Sequence, residues 1–326
     1  MATINWGIIG CGDVTEIKSG PAFNKVANSK LVAVMRRNAD LAKDYAVRHG
    51  VSRWYSDANA LIHDDEVNAI YVATPPSSHL PYTLAAIAAG KPVYVEKPMT
   101  LNHHEAWKIA DEAKAHNVKV VVAHYRRAQP LFKKVKELIE QKAIGNIWLA
   151  NLKYYQPALK PEQLSVEKYT WRIQPKISGG GLFHDIAPHQ ADLAYYFFGA
   201  VEKVGAVAAR QGSMYNADDL VAGSVLFQNN VVFNGCWCFN AATTATADEF
   251  EIIGSLGKIS FSVFKGNTIK LTTDSDQQVF TFDALEHVQQ PMIDAVVRYF
   301  LGEEANPNSP EEGAEVMRIL DAFTAK

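Results

Sequence analysis

Three cysteines in 326 residues are too few for a disulfide framework, and Cys11, Cys236 and Cys238 suit a reducing compartment where thiols stay free. No apolar stretch approaches the length of a bilayer span. The opening residues, Met1 to Gly10, are strand-like and lack the basic region, long apolar core and cleavage site of a leader. A cytoplasmic chain without a membrane partner is therefore expected. A net charge of −3 is small for this length, which excludes a broad basic surface for nucleic acid and an acidic tail, so the expected partners are small molecules. No repeat or low-complexity segment stands out. Cys236-Trp237-Cys238 has no second cysteine or histidine pair at zinc spacing, and strand alternation places both thiols on one face, where they are expected as packed core.

Hydrophobic residues make up 48% of the chain, ample for a sizeable core, and the length suggests two domains. Residues 1–125 alternate strand and helix, the pattern of an α/β, doubly wound parallel sheet. The strand Ile4 to Ile9 runs into Gly10-Cys11-Gly12-Asp13-Val14-Thr15 and then a helix. In that context a glycine turn can bring backbone up to a pyrophosphate, while Thr15 in the third position is expected to crowd helix against strand. The alternative is an ordinary turn. Strand Leu31 to Met35 ends in Arg36-Arg37-Asn38, where a ribose-binding acid would suit NAD. Two guanidinium groups there suit a 2′-phosphate, which favours NADP with NAD still possible; the alternative is a solvated basic turn before the helix Ala39 to His49.

Strand Ala69 to Ala73 ends in Thr74-Pro75-Pro76-Ser77-Ser78-His79, a loop on the same side as the glycine turn, with His79 read chiefly as a helix-start residue. The short buried strand Val93 to Val95 ends in Glu96-Lys97-Pro98. A lysine beyond the carboxyl end of a strand in an open parallel sheet, beside a proline that restricts its backbone, is a candidate for chemistry. The expected nucleotide-binding residues are thus Gly10, Gly12, Asp13, Val14, Arg36, Arg37, Thr74, Pro75, His79, Glu96 and Lys97. The tandem His103-His104 at a helix start faces two directions and is not read as a metal site.

From residue 126 to 326 the pattern changes. Ile147 to Tyr155 alternates like a long strand, and further strand-like runs follow at 201–211, 220–227, 231–240, 249–253, 258–263 and 278–282 without helices between them. This implies an α+β domain with an open, mostly antiparallel sheet and flanking helices. Helices near 290–301 and 310–324 could pack on either domain. One helix interrupts the strands: Gly179-Gly180-Gly181 leads into Leu182 to Phe198, and Asp185, His189 and Asp192 recur at i, i+4 and i+7 on one face. A histidine titrates near neutrality, and a carboxylate one turn away can hold its ring, an arrangement suited to proton transfer. The alternatives are an N-terminal acid favouring the helix dipole beside a satisfied histidine, and a metal held by His184, Asp185 and His189.

Glu96-Lys97-Pro98 together with Gly179-Gly180-Gly181, Asp185 and His189 resembles the glucose-fructose oxidoreductase and inositol dehydrogenase family, Gfo/Idh/MocA. Trp171-Arg172 and His287-Val288-Gln289-Gln290-Pro291 also match patterns found in members. The resemblance covers essentially the whole chain. It implies a Rossmann-type first domain, a nicotinamide cofactor and a secondary alcohol of a sugar or cyclic polyol as substrate. It also implies catalytic roles for Lys97, Asp185 and His189. Tyr154, Tyr155 and Trp171 are candidate ring-binding faces, and Arg126, Lys160 and Arg172 candidate polar contacts. A homodimer or homotetramer through the exposed sheet is expected. The rival readings are a glycosidase using a tightly held cofactor for transient oxidation, and a non-catalytic NADP-sensing regulator. The latter would have no need of Lys97, Asp185 and His189 together.

Overall fold

A computed structural model describes residues 3–212 and 215–324 and divides the chain into two compact units. One comprises Met1–Ala128 and Leu285–Ala314, the other Gln129–Ala284 and Glu315–Lys326. The first crossing lies between Ala128 and Gln129. The return of Leu285–Ala314 is something a single boundary does not provide for. Its physical reason is apolar: Met292, Ile293, Val296 and Val297 are buried in the same cluster as Trp6 and Tyr94.

The first unit is built on six parallel strands in the order β3-β2-β1-β4-β5-β6. They are β1 (Ile4–Ile9), β2 (Ser29–Met35), β3 (Arg53–Tyr55), β4 (Ala69–Val72), β5 (Val93–Val95) and β6 (Val120–Val122). Every residue of β4, β5 and β6 is buried, as a parallel sheet covered on both faces requires. Between the strands lie α1 (Asp13–Ile17), α2 (Ala39–His49), α3 (Ala58–Ile62), α4 (His79–Ala88) and α5 (His103–Ala115). Side chains fix three of the helix starts: Asn38 accepts from Leu41 N at 3.1 Å, Asp57 from Ala60 N at 2.8 Å and Asn102 from Glu105 N at 3.0 Å. Trp6 packs against Phe23 and Phe300, with ring centroids 4.8 and 5.6 Å apart.

The second unit begins with α6 (Pro130–Glu140) and β7 (Ile147–Tyr155), followed by three short helices, α7 (Pro161–Leu164), α8 (Glu167–Thr170) and α9 (Pro175–Ser178). The long α10 (Leu182–Phe198) precedes β8 (Val201–Ala209), β9 (Leu220–Phe227), β10 (Val232–Cys238), β11 (Ala247–Gly254), β12 (Gly257–Phe261), β13 (Thr268–Thr273) and β14 (Gln277–Thr281). The sheet has eight strands in the order β14-β13-β12-β11-β7-β10-β9-β8. Only β7 and β10 pair in parallel; their other neighbours are antiparallel. After it come α11 (Gln290–Leu301) and α12 (Pro310–Phe323). No helix of the described residues is long and apolar enough to cross a membrane.

Alternation decides which face of this sheet is covered. Phe233 and Trp237 of β10, Phe250 and Ile252 of β11, and Ile259 and Phe261 of β12 are all buried. Aromatic side chains of α6 and α10 meet them: Phe132 and Phe197 pack edge-on to Phe261, and Phe183 edge-on to Trp237. Cys236 and Cys238 do share one face, but it is the other one. They are half-buried on the open side, because Trp237 takes the inward position and donates its Nε1–H to Gln190 Oε1 at 2.7 Å. The expectation of two packed core thiols is thereby corrected. Strands β3 and β13 were not anticipated: Arg53-Trp54-Tyr55 is only three residues long, and β13 carries just Ile269 and Leu271 as buried apolar residues.

Candidate functional site

Parallel pairing sends β1, β2, β4 and β5 to one edge of the first sheet, and the predicted residues stand in the loops just beyond it. Gly10 has φ +97°, and both its N–H and that of Cys11 donate to Met35 O, at 2.9 and 3.1 Å. A Cβ on Gly10 would press within 2.7 Å of Thr74 Cγ2, so the two loops meet at backbone distance. A Cβ on Gly12 would meet nothing nearer than Gly10 O at 3.9 Å. The flank of the turn is therefore open. Thr74 Oγ1 is buried with no hydrogen-bond partner among the described residues. An open glycine flank beside an unused hydroxyl fits a polar ligand bearing phosphate oxygens.

Thr15 does not crowd the turn as expected. It is fully buried, its hydroxyl donates to Gly12 O at 2.8 Å, and Tyr45 donates its hydroxyl to Thr15 O at 2.8 Å. The branched residue, expected to crowd helix against strand, thus closes the turn through its hydroxyl. Asp13 is exposed and Val14 half-buried. Arg36 is half-buried, and its charge is felt at Cys11, where it opposes the burial that pushes the thiol up to about 11. Arg37 is exposed.

His79 is buried, with Nε2 2.7 Å from Thr74 O and Nδ1 2.9 Å from Pro98 O. Burial holds its pKa below the ordinary range, and its ring ties the Thr74 loop to the Lys97-Pro98 loop, whose peptide bond is cis. Pro75 is half-buried in the first of these loops. Glu96 is buried and accepts from Tyr71 Oη at 2.6 Å, Gln289 Nε2 at 2.6 Å and Lys97 N at 3.1 Å. Lys97 itself is half-buried.

In the second unit the glycines before α10 work by close approach. Gly181 has φ +78° with Ala217 against it, and the His184 ring lies on Gly180. Asp185 is half-buried and accepts from Arg172 Nε at 3.0 Å, while the Arg172 guanidinium stacks 4.4 Å over Trp171. Trp171, Arg172 and Asp185 thus form one group. His189 and Asp192, further along the helix, are buried. The His189 ring stands edge-on to Phe264 at 5.6 Å, and Phe264 edge-on to Tyr154 at 5.3 Å. His184 is fully buried with Nε2 4.0 Å from Asp321 Oδ1, so its contact is with the C-terminal helix.

Phe264 escaped the sequence reading. Asp248, at the start of β11, accepts from the N–H groups of Val263, Phe264 and Lys265 at 3.1, 2.7 and 2.7 Å, which presents the phenyl ring from a loop. No spacing in the sequence marks that arrangement. Tyr155 lies on the opposite face from Tyr154, where burial and then a hydrogen bond to Cys236 raise its pKa to about 12. Lys160 is exposed, and Arg126 lies over the Tyr125 ring at 5.6 Å.

The short α1 is secured by charge. Glu16 accepts from Arg48 Nη1 and Nη2, both at 2.8 Å, and lies 2.8 Å from His49 Nε2; these bonds, Arg48 first, lower its pKa from 4.5 to about 2. A depressed carboxylate contributes stability that is present above its unfolded value and lost as the pH falls through the folded one. Between pH 4.5 and about 2, the melting temperature of the native chain is therefore expected to fall more steeply than that of Glu16→Gln, as followed by circular dichroism. Parallel curves would mean the pair does not hold in solution.

The family profile described as an oxidoreductase family with an NAD-binding Rossmann fold, Gfo/Idh/MocA, matches residues 4–124, and that of the Gfo/Idh/MocA C-terminal domain matches residues 132–260. Oxidoreductase P35 of Formosa agariphila is 50% identical over 320 residues, 98% of each chain. Levoglucosan dehydrogenase of Pseudarthrobacter phenanthrenivorans is 29% identical over 308 residues, 85% of this chain and 78% of that one. A structure of levoglucosan dehydrogenase in complex with NADH and levoglucosan has a TM-score of 0.89 over 99% of this chain and 96% of that one, at 24% identity, which is a likeness of fold. With an open glycine turn at one sheet edge and profile matches to both halves, the chain belongs to the Gfo/Idh/MocA family of NAD-binding oxidoreductases.

Proposed function

We propose that this chain is a dehydrogenase that transfers a hydride between nicotinamide, with NADP preferred over NAD, and a secondary alcohol or ketone carbon of a sugar or cyclic polyol. The observation that carries the reading is the Trp171-Arg172-Asp185 group one helical turn before a buried His189, in a chain of this family. The relative named levoglucosan dehydrogenase supports a sugar as the substrate class.

When bound, the nicotinamide supplies the hydride acceptor. The turn at Gly10, Gly12, Asp13 and Val14 offers backbone to the pyrophosphate, with Thr74 and Pro75 beside it and Glu96 and His79 setting the loops. Arg36 meets the 2′-phosphate as a charge-assisted donor, with Arg37 adding positive charge from the surface. His189 takes the hydroxyl proton. Asp185, held by Arg172 at 3.0 Å, keeps a carboxylate one helical turn from the imidazole. Lys97 hydrogen-bonds the alcohol oxygen and stabilises negative charge as it develops there. Trp171 and Tyr154 offer apolar faces to the C–H side of a ring. The chain works in the cytoplasm, as its three free thiols favour. It assembles as a homodimer or homotetramer through the uncovered face of the eight-stranded sheet, which carries Tyr155, Cys236 and the exposed Val207.

Ultraviolet absorbance with NADP⁺ and a panel of sugars and inositols finds the substrate. On it, His189→Asn is expected to lower kcat by about 10²–10⁴-fold while NADPH affinity, read by fluorescence, stays unchanged; retained turnover would mean another base. Arg36→Asp should shift the ratio of NADP to NAD affinity towards NAD by about 10–100-fold, the worth of one hydrogen bond to a charged group. An unaltered ratio overturns the NADP assignment. Sedimentation equilibrium at micromolar concentration should return a dimer or tetramer, and a monomer would refute assembly through the sheet.

A further inference from the structure

The segment His287-Val288-Gln289-Gln290-Pro291 has no part in the roles assigned so far. Gln289 is fully buried, donates its side-chain Nε2–H to Glu96 Oε1 at 2.6 Å, and accepts at Oε1 from Tyr94 Oη at 3.1 Å. The two contacts fix the amide orientation, since Tyr94 donates and the carboxylate accepts. Tyr71, whose hydroxyl lies 3.2 Å from Ser19 Oγ, donates to the same Glu96 oxygen at 2.6 Å. The other Glu96 oxygen accepts the backbone N–H of Lys97 at 3.1 Å. A buried carboxylate whose oxygens are engaged by donors from several elements has one low-energy geometry, and here that geometry includes the main chain of Lys97.

The same segment also grips the far end of the nucleotide turn. Gln289 N–H donates to Lys18 O at 3.2 Å, and His287 Nδ1 lies 2.7 Å from Ile17 O. Thus His287 and Gln289, distant in sequence from both loops, together touch the end of α1 and the carboxylate at the root of Lys97.

We infer that Gln289 is a positioning residue for Lys97: it holds Glu96, and through Glu96 the Lys97 main chain, at a fixed spacing from the glycine turn. The inference rests on the role given to Lys97 above. Removing the Glu96 donor leaves nucleotide contacts in place but lets Lys97 drift from the reacting oxygen, and a displacement of about 1 Å can cost about 10²-fold in rate.

The test compares Gln289→Leu, Gln289→Glu and Tyr94→Phe with the native chain, using the most active alcohol of the panel and NADP⁺, NADPH fluorescence for affinity, and thermal melting for the fold. Gln289→Leu should lower kcat by about 10²-fold with NADPH affinity within about threefold. Tyr94→Phe, which removes only the donor to Gln289, should lose less in the same direction. Gln289→Glu sets two carboxylates against each other, a pair that must share one proton, so its activity relative to the native chain should recover as the pH falls and vanish as it rises. The other titratable groups facing Glu96 are Tyr71, Tyr94, His79 and Lys97. Burial raises the pKa of the Tyr71 and Tyr94 hydroxyls and lowers that of the His79 ring. Unchanged kcat in Gln289→Leu, NADPH affinity falling in step with kcat, or a native pH profile in Gln289→Glu overturns the inference. Lys97→Met separates it from the reading beneath it: turnover kept in Lys97→Met overturns the role of Lys97 and this inference with it. An inactive Lys97→Met beside an unaffected Gln289→Leu overturns this inference alone.

Discussion

Parallel pairing is the constraint on which the first unit depends. Six strands hydrogen-bonded in the same direction must all finish at one edge, so the loops after β1, β2, β4 and β5 are neighbours whatever their sequences. Gly10 then meets Thr74, Arg36 lies beside Cys11, and His79 bridges Thr74 to Pro98. None of these pairs is close in sequence beyond a few residues of its own loop. The edge assembles them, and the chemistry of each side chain decides what the edge can hold.

The second unit meets a different constraint. An antiparallel sheet can cover one face and leave the other open, and the aromatic residues of β10, β11 and β12 settle which is which. With α10 committed to the covered face, its polar residues need partners within the layer. Arg172 serves Asp185, Trp237 donates to Gln190, and Phe264 stands edge-on to His189. The site residues of this helix are held by packing that also builds the core.

Strong periodicity and clear end signals made much of this legible beforehand. The helix α2 begins at a capping Asn38 and ends at Gly50, α10 is bracketed by Gly181 and Gly199, and β7 alternates from Ala150 to Tyr155, so much of their extent follows from local chemistry. What stayed hidden was set by distant pairing. The partner of the inward Trp237 is Gln190, far from it in sequence. The hold of Tyr45 on the Thr15 carbonyl joins residues 30 apart. Phe264 depended on Asp248, and the tie between Gln289 and Glu96 spans most of the chain. Motif spacing reached the residues expected to touch ligands more readily than those that hold them.

The return of residues 285–314 to the first unit has a consequence for biosynthesis. Translation is vectorial, and Trp6 and Glu96 leave the ribosome long before Phe300 and Gln289, their partners in the finished core. Until that segment clears the exit tunnel, the nascent first unit keeps an aromatic face and a carboxylate open to water. The core of the nucleotide-binding half is therefore complete only near the end of its own synthesis.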